Sequence, residues 1–540
     1  MMRTLIRAPA AARQKGPPMV PALRRAALFA ACAVLALLQG CVSLVEREKT
    51  PSIALYAFPD AELAQLVPAD LAQDRTSAFR PLPYSAWSMD ARLTLAQHAQ
   101  KSLDIQYYLL QNDETGRALL RAVRDAALRG VRVRLLVDDL YTASSDHLLR
   151  GLAAYPNVEV RLFNPFPAGR AWNLTRWGLS LADLARLNHR MHNKLFLADG
   201  MFAVIGGRNI ADEYFFRSMR GNFIDFDLLV AGEAVPELAN TFDRYWNSRR
   251  VFTLDALESD DRGSQKWRDE FEELTASTRF PQLKPGERDL LNYGPLSSDI
   301  HRPPLKMLRG RVTVLADDPE KVSGRSEHGD DPTTVTNRVV AAIDAAKEDV
   351  LVASPYFVPG KPALAKIEQV RQKGVAFTIV TNTMAANDEP FVSAAYARYR
   401  KRMLKAGVQI YEVSPRILRT DDDYVEPVGT STGRLHAKVL VIDHQTTFVG
   451  SMNMDFRSSR ENTEIGVLVD SPELAADVIG LVDDLRASGT YRMRLSPEGG
   501  VQWVDSGPKG DQVFDSEPEV GALTWIEVLL FSPFIDEGLL

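Results

Sequence analysis

Cysteine is almost absent from this 540-residue chain: there are two, Cys32 and Cys41, both near the N terminus. No internal disulfide can form beyond residue 41, so the fold must rest on its core. A basic surplus is missing as well. With 64 Lys and Arg against 70 Asp and Glu the net charge is −6, whereas a groove that tracks a nucleic-acid backbone needs positive excess. That disfavours a nuclease, and no nucleic-acid partner is expected. Long apolar runs are scarce too. Residues 523–540 are strongly apolar, but TWIEVLLFSPFI is too short to span a bilayer; the stretch either lies on a membrane surface or docks on the body.

The other apolar run, residues 26–38, follows Arg24 and Arg25 and precedes Gly40 and Cys41, as in a secretory signal peptide. LLQGC resembles a lipoprotein lipobox, with Gln39 where small residues are usual. Residues 1–41 are therefore expected to be a lipoprotein-type signal, with Met19 as an alternative start and Cys41 lipidated. Val42 after that cysteine favours the outer over the inner membrane, on the periplasmic side of a bacterial envelope. An uncleaved N-terminal anchor is the alternative and leaves the protein on the same side.

What the chain does have is one pattern twice, HxKxxxxDxxxxxxG(G/S)xN. The first copy is His192, Lys194, Asp199, Gly206, Gly207 and Asn209; the second is His436, Lys438, Asp443, Gly450, Ser451 and Asn453. At roughly one in twenty per position, five fixed residues match by chance about once in a few million starts. His436, Asp443 and Asn453 each stand 244 residues after their counterparts. A lone HxK on a strand is usually a surface pair; the duplication reverses that reading.

Each copy reads as a hairpin. Asp199-Gly200 and Asp443-His444 separate short apolar runs, and residues two apart on a strand share a face. His and Lys then point the same way, and the returning strand brings the glycine pair and Asn beside the His. One polar cluster of His, Lys and Asn is expected per copy. Lys and Asn suit the oxygens of a phosphoryl group, and His can attack or carry a proton near neutral pH. One His can attack phosphorus while the other protonates the leaving oxygen. Each His needs a carboxylate on its far nitrogen, and Asp225 and Glu464, on the apolar strands after the two Asn residues, are assigned that role. Asp199 and Asp443 read as turn or salt-bridge residues. Positive charge at the phosphate comes from Lys194 and Lys438, so neither a metal nor a cofactor is expected.

These HKD motifs resemble the phospholipase D superfamily. More narrowly, RLFNPF, RMHNK, GGRNIADEYF, TNTMAANDEP, YARYRKRML, LHAK and GSMNMDFRSSRENTEIG resemble the bacterial cardiolipin synthase C type, from about Trp87 to Trp503. The resemblance implies an α/β fold of two pseudo-twofold-related lobes, each a mixed β-sheet flanked by helices, with the active site at their interface and no metal. It also implies a phosphohistidine intermediate, with attack by His192 and acid–base work by His436. The activity implied is a phosphatidyl transfer making cardiolipin or a related phosphodiester lipid, from substrates such as phosphatidylglycerol and phosphatidylethanolamine. Hydrolysis to phosphatidic acid is the first alternative, and headgroup binding without turnover the second.

The repeat extends beyond the motifs. LAQHAQKSLDIQYYLLQ with LLRAVRDAALRGVRVRLLVDD is echoed by AAIDAAKEDVLVASPYFVP with LAKIEQVRQKGVAFTIVTNT, each a helix, strand, helix and strand. Tyr107, Tyr108 and Tyr356 end the first strands of the two units, as site or core residues. Residues 42–85 are expected to be a tether, 86–255 the first lobe, 256–310 a linker, 311–490 the second lobe and 491–540 an apolar tail. Residues 321–332 read as a mobile loop, and the apolar stretch 163–187 as lipid-facing or core.

Overall fold

A computed structural model of the chain describes residues 49–531 except 57, 59, 168–172, 179, 181–182, 258–262, 324–330, 420–430 and 508–509. The signal region, Cys41, the centre of the 321–332 loop and the last nine residues lie outside the described residues.

The first half contributes β1 (Ser77–Leu82), β2 (Ser102–Tyr107), β3 (Arg132–Asp138), β4 (Val158–Phe163), β5 (Leu195–Ala198), β6 (Phe202–Gly206), β7 (Gly221–Ile224), β8 (Asp227–Gly232) and β9 (Val251–Thr253). The second contributes β10 (Leu308–Ala316), β11 (Asp349–Ala353), β12 (Ala376–Asn382), β13 (Gln409–Val413), β14 (Thr432–Leu435), β15 (Val439–Ile442), β16 (Thr446–Gly450), β17 (Ile465–Asp470), β18 (Thr490–Leu495), β19 (Val501–Gly507) and β20 (Gly510–Phe514). In both, three strands linked by helices run parallel, β2-β3-β4 and β11-β12-β13. The HKD hairpin then adds antiparallel strands on the inner side, β5-β6-β8 and β15-β16-β17.

The crossover helices form where the chain supplies caps. Asp113 accepts from Gly116 N at 2.8 Å to start Glu114–Leu128, whose Leu119, Leu120 and Val123 are buried. Gly130, at φ 96°, follows its end, and Gly374 at φ 90° does the same after Gly360–Gln372. Two apolar clusters lie under these outer helices, one per half. A third is shared: Phe242 and Trp246 of Ala234–Trp246 and Val478 and Val482 of Pro472–Gly489 join inner-strand residues from both halves.

The two lobes share a single sheet. β1 pairs antiparallel with β8 on one side and with β10 on the other, and β10 pairs with β17, so 18 strands run unbroken from β9 to β20. This corrects the expected tether. The described residues of 49–85 pack on the first lobe, with Ala54 N donating to Asp243 Oδ2 at 2.8 Å, Arg134 Nη1 to Ser52 O at 3.0 Å, and β1 at the join. SAFRPL lacks the alternation that marks a half-exposed strand because both its faces are covered.

The expected linker is not free either. Helix Ser264–Thr275 buries Trp267 and Phe271 beside helix Asp146–Ala153, where a Cβ on Gly151 would stand 2.6 Å from Phe271 Cβ. Trp87 Nε1 donates to Tyr293 O at 3.1 Å, and Arg80 pairs with Asp299 at 3.0 Å. The tail is corrected as well: β18 joins β13, and β19 and β20 extend that edge, while helix Ala522–Phe531 keeps an apolar exposed surface. In the 321–332 stretch, Lys321 is buried and ion-paired with Asp317 at 2.7 Å rather than mobile. Within 163–187, Phe163, Phe166 and Leu187 are core, while Trp177 and Leu184 are exposed.

Candidate active site

The motif turns are stitched to the lobe by their aspartates. Asp199 and Asp443 both take left-handed φ, 53° and 52°, as the tight hairpin needs. Asp199 accepts from the backbone N–H groups of Gln100, Lys101 and Ser102, and Asp443 from those of Lys347, Glu348 and Asp349. Each carboxylate thus fixes the hairpin to the start of the first parallel strand, a structural task far from the chemistry.

At the other end of each hairpin the halves interlock. His192 N donates to Thr463 O and Thr463 N to Arg190 O, both at 2.9 Å. β14 lies parallel to β7 with Leu435 opposite Ile224, and His436 N donates to Ile224 O at 2.7 Å. Each motif strand is therefore docked on the segment just before the carboxylate of the opposite lobe. The carboxylates land accordingly: His192 Nδ1 is 2.9 Å from Glu464 Oε2, and His436 Nδ1 is 2.6 Å from Asp225 Oδ2. Both pairs are buried.

Because each carboxylate accepts, Nδ1 carries the proton and the neutral ring presents Nε2 as its lone pair. Burial pushes both imidazoles down to about 4 against the pull of their carboxylates. Burial works against ionising Asp225 and Glu464, but the facing imidazoles and lysines outweigh it and hold Asp225 at about 2 and Glu464 below its usual value. Lys194 Nζ and Lys438 Nζ each donate to the carbonyl of the His two residues before, at 2.6 Å. Lys438 Nζ also stands 3.1 Å from His436 Nε2. Burial draws Lys194 to about 7 and Lys438 to about 8, so both are poised to take full charge against an anionic ligand.

The glycines of the first copy serve close approach. A Cβ on Gly207 would stand 2.1 Å from Asp225 Oδ1, and one on Gly206 2.2 Å from Asp227 Oδ1. Asp227 is tied to Arg92 at 3.0 Å and Arg208 at 3.3 Å, which fixes the start of β8, two residues after Asp225. In the second copy Ser451 replaces the second glycine and its hydroxyl donates to Glu464.

The asparagines depart from expectation. Asn209 Nδ2 donates to Tyr214 Oη at 2.9 Å, and that hydroxyl is 3.5 Å from His436 Nε2, so Asn209 serves the histidine of the opposite lobe through a tyrosine. Asn453 N donates to Ser458 Oγ at 3.0 Å, and Ser458 Oγ donates to Glu464 Oε1 at 2.8 Å. The clusters are thus shared across the lobes, not formed one per copy, because strand docking and not sequence proximity brings the groups together. Tyr108 meets the His192 ring edge-on with centroids 4.9 Å apart, Tyr356 is partly buried beside Asp388, and Tyr107 is a core residue bound to Arg92 at 2.8 Å.

Sequence reasoning missed Tyr214, Ser458 and the Asp317–Lys321 pair. Asp317 Oδ2 accepts from Glu464 N at 2.9 Å, and Lys321 Nζ donates to Ser458 O at 2.8 Å. One signal was available: Tyr214 and Ser458 each stand five residues after a motif Asn.

The family model described as cardiolipin synthase, PLD-like domain, matches residues 93–246 and 339–485, the two lobes built here. A protein named cardiolipin synthase C in Escherichia coli (strain K12) is 35% identical over 461 residues, 85% of this chain and 95% of that protein. A cardiolipin synthase of Staphylococcus aureus (strain Mu50 / ATCC 700699) is 27% identical over 394 residues, 73% of this chain and 64% of that protein. In fold, the chain is similar to phosphatidylserine synthase of Haemophilus influenzae Rd KW20, with a TM-score of 0.54 over 87% of this chain and 94% of that one, at 15% identity. With the repeat, the shared sheet and these matches in hand, the chain belongs to the phospholipase D superfamily, within the cardiolipin synthase, PLD-like domain family.

Proposed function

We propose that this chain is a phosphatidyltransferase that passes a phosphatidyl group through a phosphohistidine to the headgroup alcohol of a second phospholipid, making cardiolipin or a related phosphodiester lipid. The observation that carries it is the pair of buried His–carboxylate couples, Glu464 on His192 and Asp225 on His436, each beside its lysine. His192 attacks phosphorus and His436 protonates the departing oxygen, then takes the proton of the entering alcohol. Lys194, Lys438, Asn209 and Asn453 serve the phosphoryl oxygens and the histidines. Phosphatidylglycerol and phosphatidylethanolamine are the substrates inferred, by similarity to proteins named cardiolipin synthase.

The reading includes a lipid anchor at Cys41 on the periplasmic side of the envelope, with the outer membrane favoured, and rests there on the signal pattern alone. Contact with a membrane surface is supported by helix Ala522–Phe531, where Leu523 is 83%, Ile526 54% and Leu530 59% exposed. The net charge of −6 weighs against a nucleic-acid substrate.

The test is purified protein in mixed phosphatidylethanolamine and phosphatidylglycerol vesicles, with and without chelator. Cardiolipin should form in both, with ethanolamine or glycerol released according to the donor. Phosphatidic acid as sole product at every phosphatidylglycerol content would replace transfer with hydrolysis, and no product at all would leave headgroup binding.

A further inference from the structure

The two motif copies differ at the position five residues after the Asn, Tyr214 in the first and Ser458 in the second. Their hydroxyls do different things. Ser458 Oγ bonds Glu464 at 2.8 Å, so it acts behind His192, on the Nδ1 side. Tyr214 Oη reaches the working side of the other imidazole, 3.5 Å from His436 Nε2.

Tyr214 is firmly held there. Its ring is buried, stands edge-on to His436 at 87° with centroids 4.9 Å apart, and packs on Phe223 at 4.8 Å. Asn209 Nδ2 donates to the phenol oxygen at 2.9 Å, so the phenol's own proton is left to point elsewhere. Burial raises the phenol well above its ordinary range, which keeps that proton in place. A separation of 3.5 Å is long for a direct hydrogen bond, and an oxygen placed beside the pair can lie about 2.8 Å from each atom.

We infer that Tyr214 Oη and His436 Nε2 together form a seat for the hydroxyl of the acceptor alcohol, with Tyr214 a further catalytic residue. This rests on the transferase reading above. The seated oxygen accepts from Tyr214 O–H and donates its own proton to His436 Nε2. As it attacks, the new O–P bond forms and the bond from phosphorus to His192 Nε2 breaks, its electron pair returning to that nitrogen. His436 keeps the proton until the next donor headgroup leaves. Water needs no such seat, because it is small and arrives in any orientation, whereas a lipid hydroxyl must be aligned.

The experiment compares wild type, Tyr214→Phe and Ser458→Ala in the same mixed vesicles, measuring turnover, the ratio of cardiolipin to phosphatidic acid and the pH profile. Tyr214→Phe keeps the ring against His436 and Phe223. It should lower transfer on the order of tenfold or more, shift the limb of the pH profile that reports His436 and move product toward phosphatidic acid. Ser458→Ala should slow turnover without changing the product ratio. A Tyr214→Phe enzyme with wild-type ratio and pH profile overturns the seat, and so does a product ratio that moves equally in Ser458→Ala. If the wild type itself forms no cardiolipin, it is the transferase reading that fails.

Discussion

At the scale of single residues, each histidine is set by a carboxylate of the opposite lobe. Asp225 and Glu464 hold Nδ1–H and stabilise the imidazolium that forms when Nε2 takes a proton. Asp225→Asn and Glu464→Gln keep the shape but remove the charge and can hold the ring in the wrong tautomer. Each should lower turnover on the order of 10²- to 10⁴-fold with vesicle binding little changed, as read from initial rates and co-sedimentation. Unchanged rates in both would show that the histidines work without these partners.

At the scale of elements, the hairpin is the unit that matters, and it is fixed at both ends by different means. Asp199 is fully buried and accepts from three backbone N–H groups, while Asp443 is part-exposed and does the same at the surface. Asp199→Ala leaves those donors unpaired and puts Ala at positive φ, so about 2–4 kcal/mol of stability should be lost. Asp443→Ala should cost less, since water can replace the carboxylate; denaturant titration of both variants reads the difference. At the other end, Gly207→Ala should spare the fold more than the activity. Its Cβ meets Asp225 Oδ1 at 2.1 Å, so the carboxylate that orients His436 must move.

For the whole molecule, burying two neutral imidazoles couples folding to pH. Both histidines fall to about 4 in the folded protein, whereas an unfolded chain titrates them near 6.5. Between those values the unfolded state binds more protons, so stability drops as pH is lowered through that window. The shift corresponds to about 3 kcal/mol per histidine, several kcal/mol for the pair, and buried Asp225, held at about 2, adds to it only under stronger acid. Melting temperature should decline steadily from about pH 6.5 to about pH 4, and a flat profile over that range would contradict the buried neutral state.

The sequence by itself determined the hairpins, the two α/β repeats and the identity of the reactive groups. Those follow from local rules: residues two apart share a strand face, Asp-Gly turns back, and a duplicated spacing repeats its geometry. Asp225 and Glu464 were legible as carboxylates on the next strand, but not which histidine each would serve. Only the tertiary structure decided that, because β7 against β14 and Met191 against Thr463 dock each motif on the other lobe. The spacing of Tyr214 five residues after Asn209 was visible, but not its partner His436, which lies 222 residues away. The join at β1 was likewise invisible, since a strand covered on both faces carries no alternation; β18 does alternate, with Tyr491 and Met493 buried and Arg492 and Arg494 exposed, but its pairing with β13 is long-range and could not be read. What a residue is can be read from the chain; what it faces depends on long-range pairing that only the folded sheet supplies.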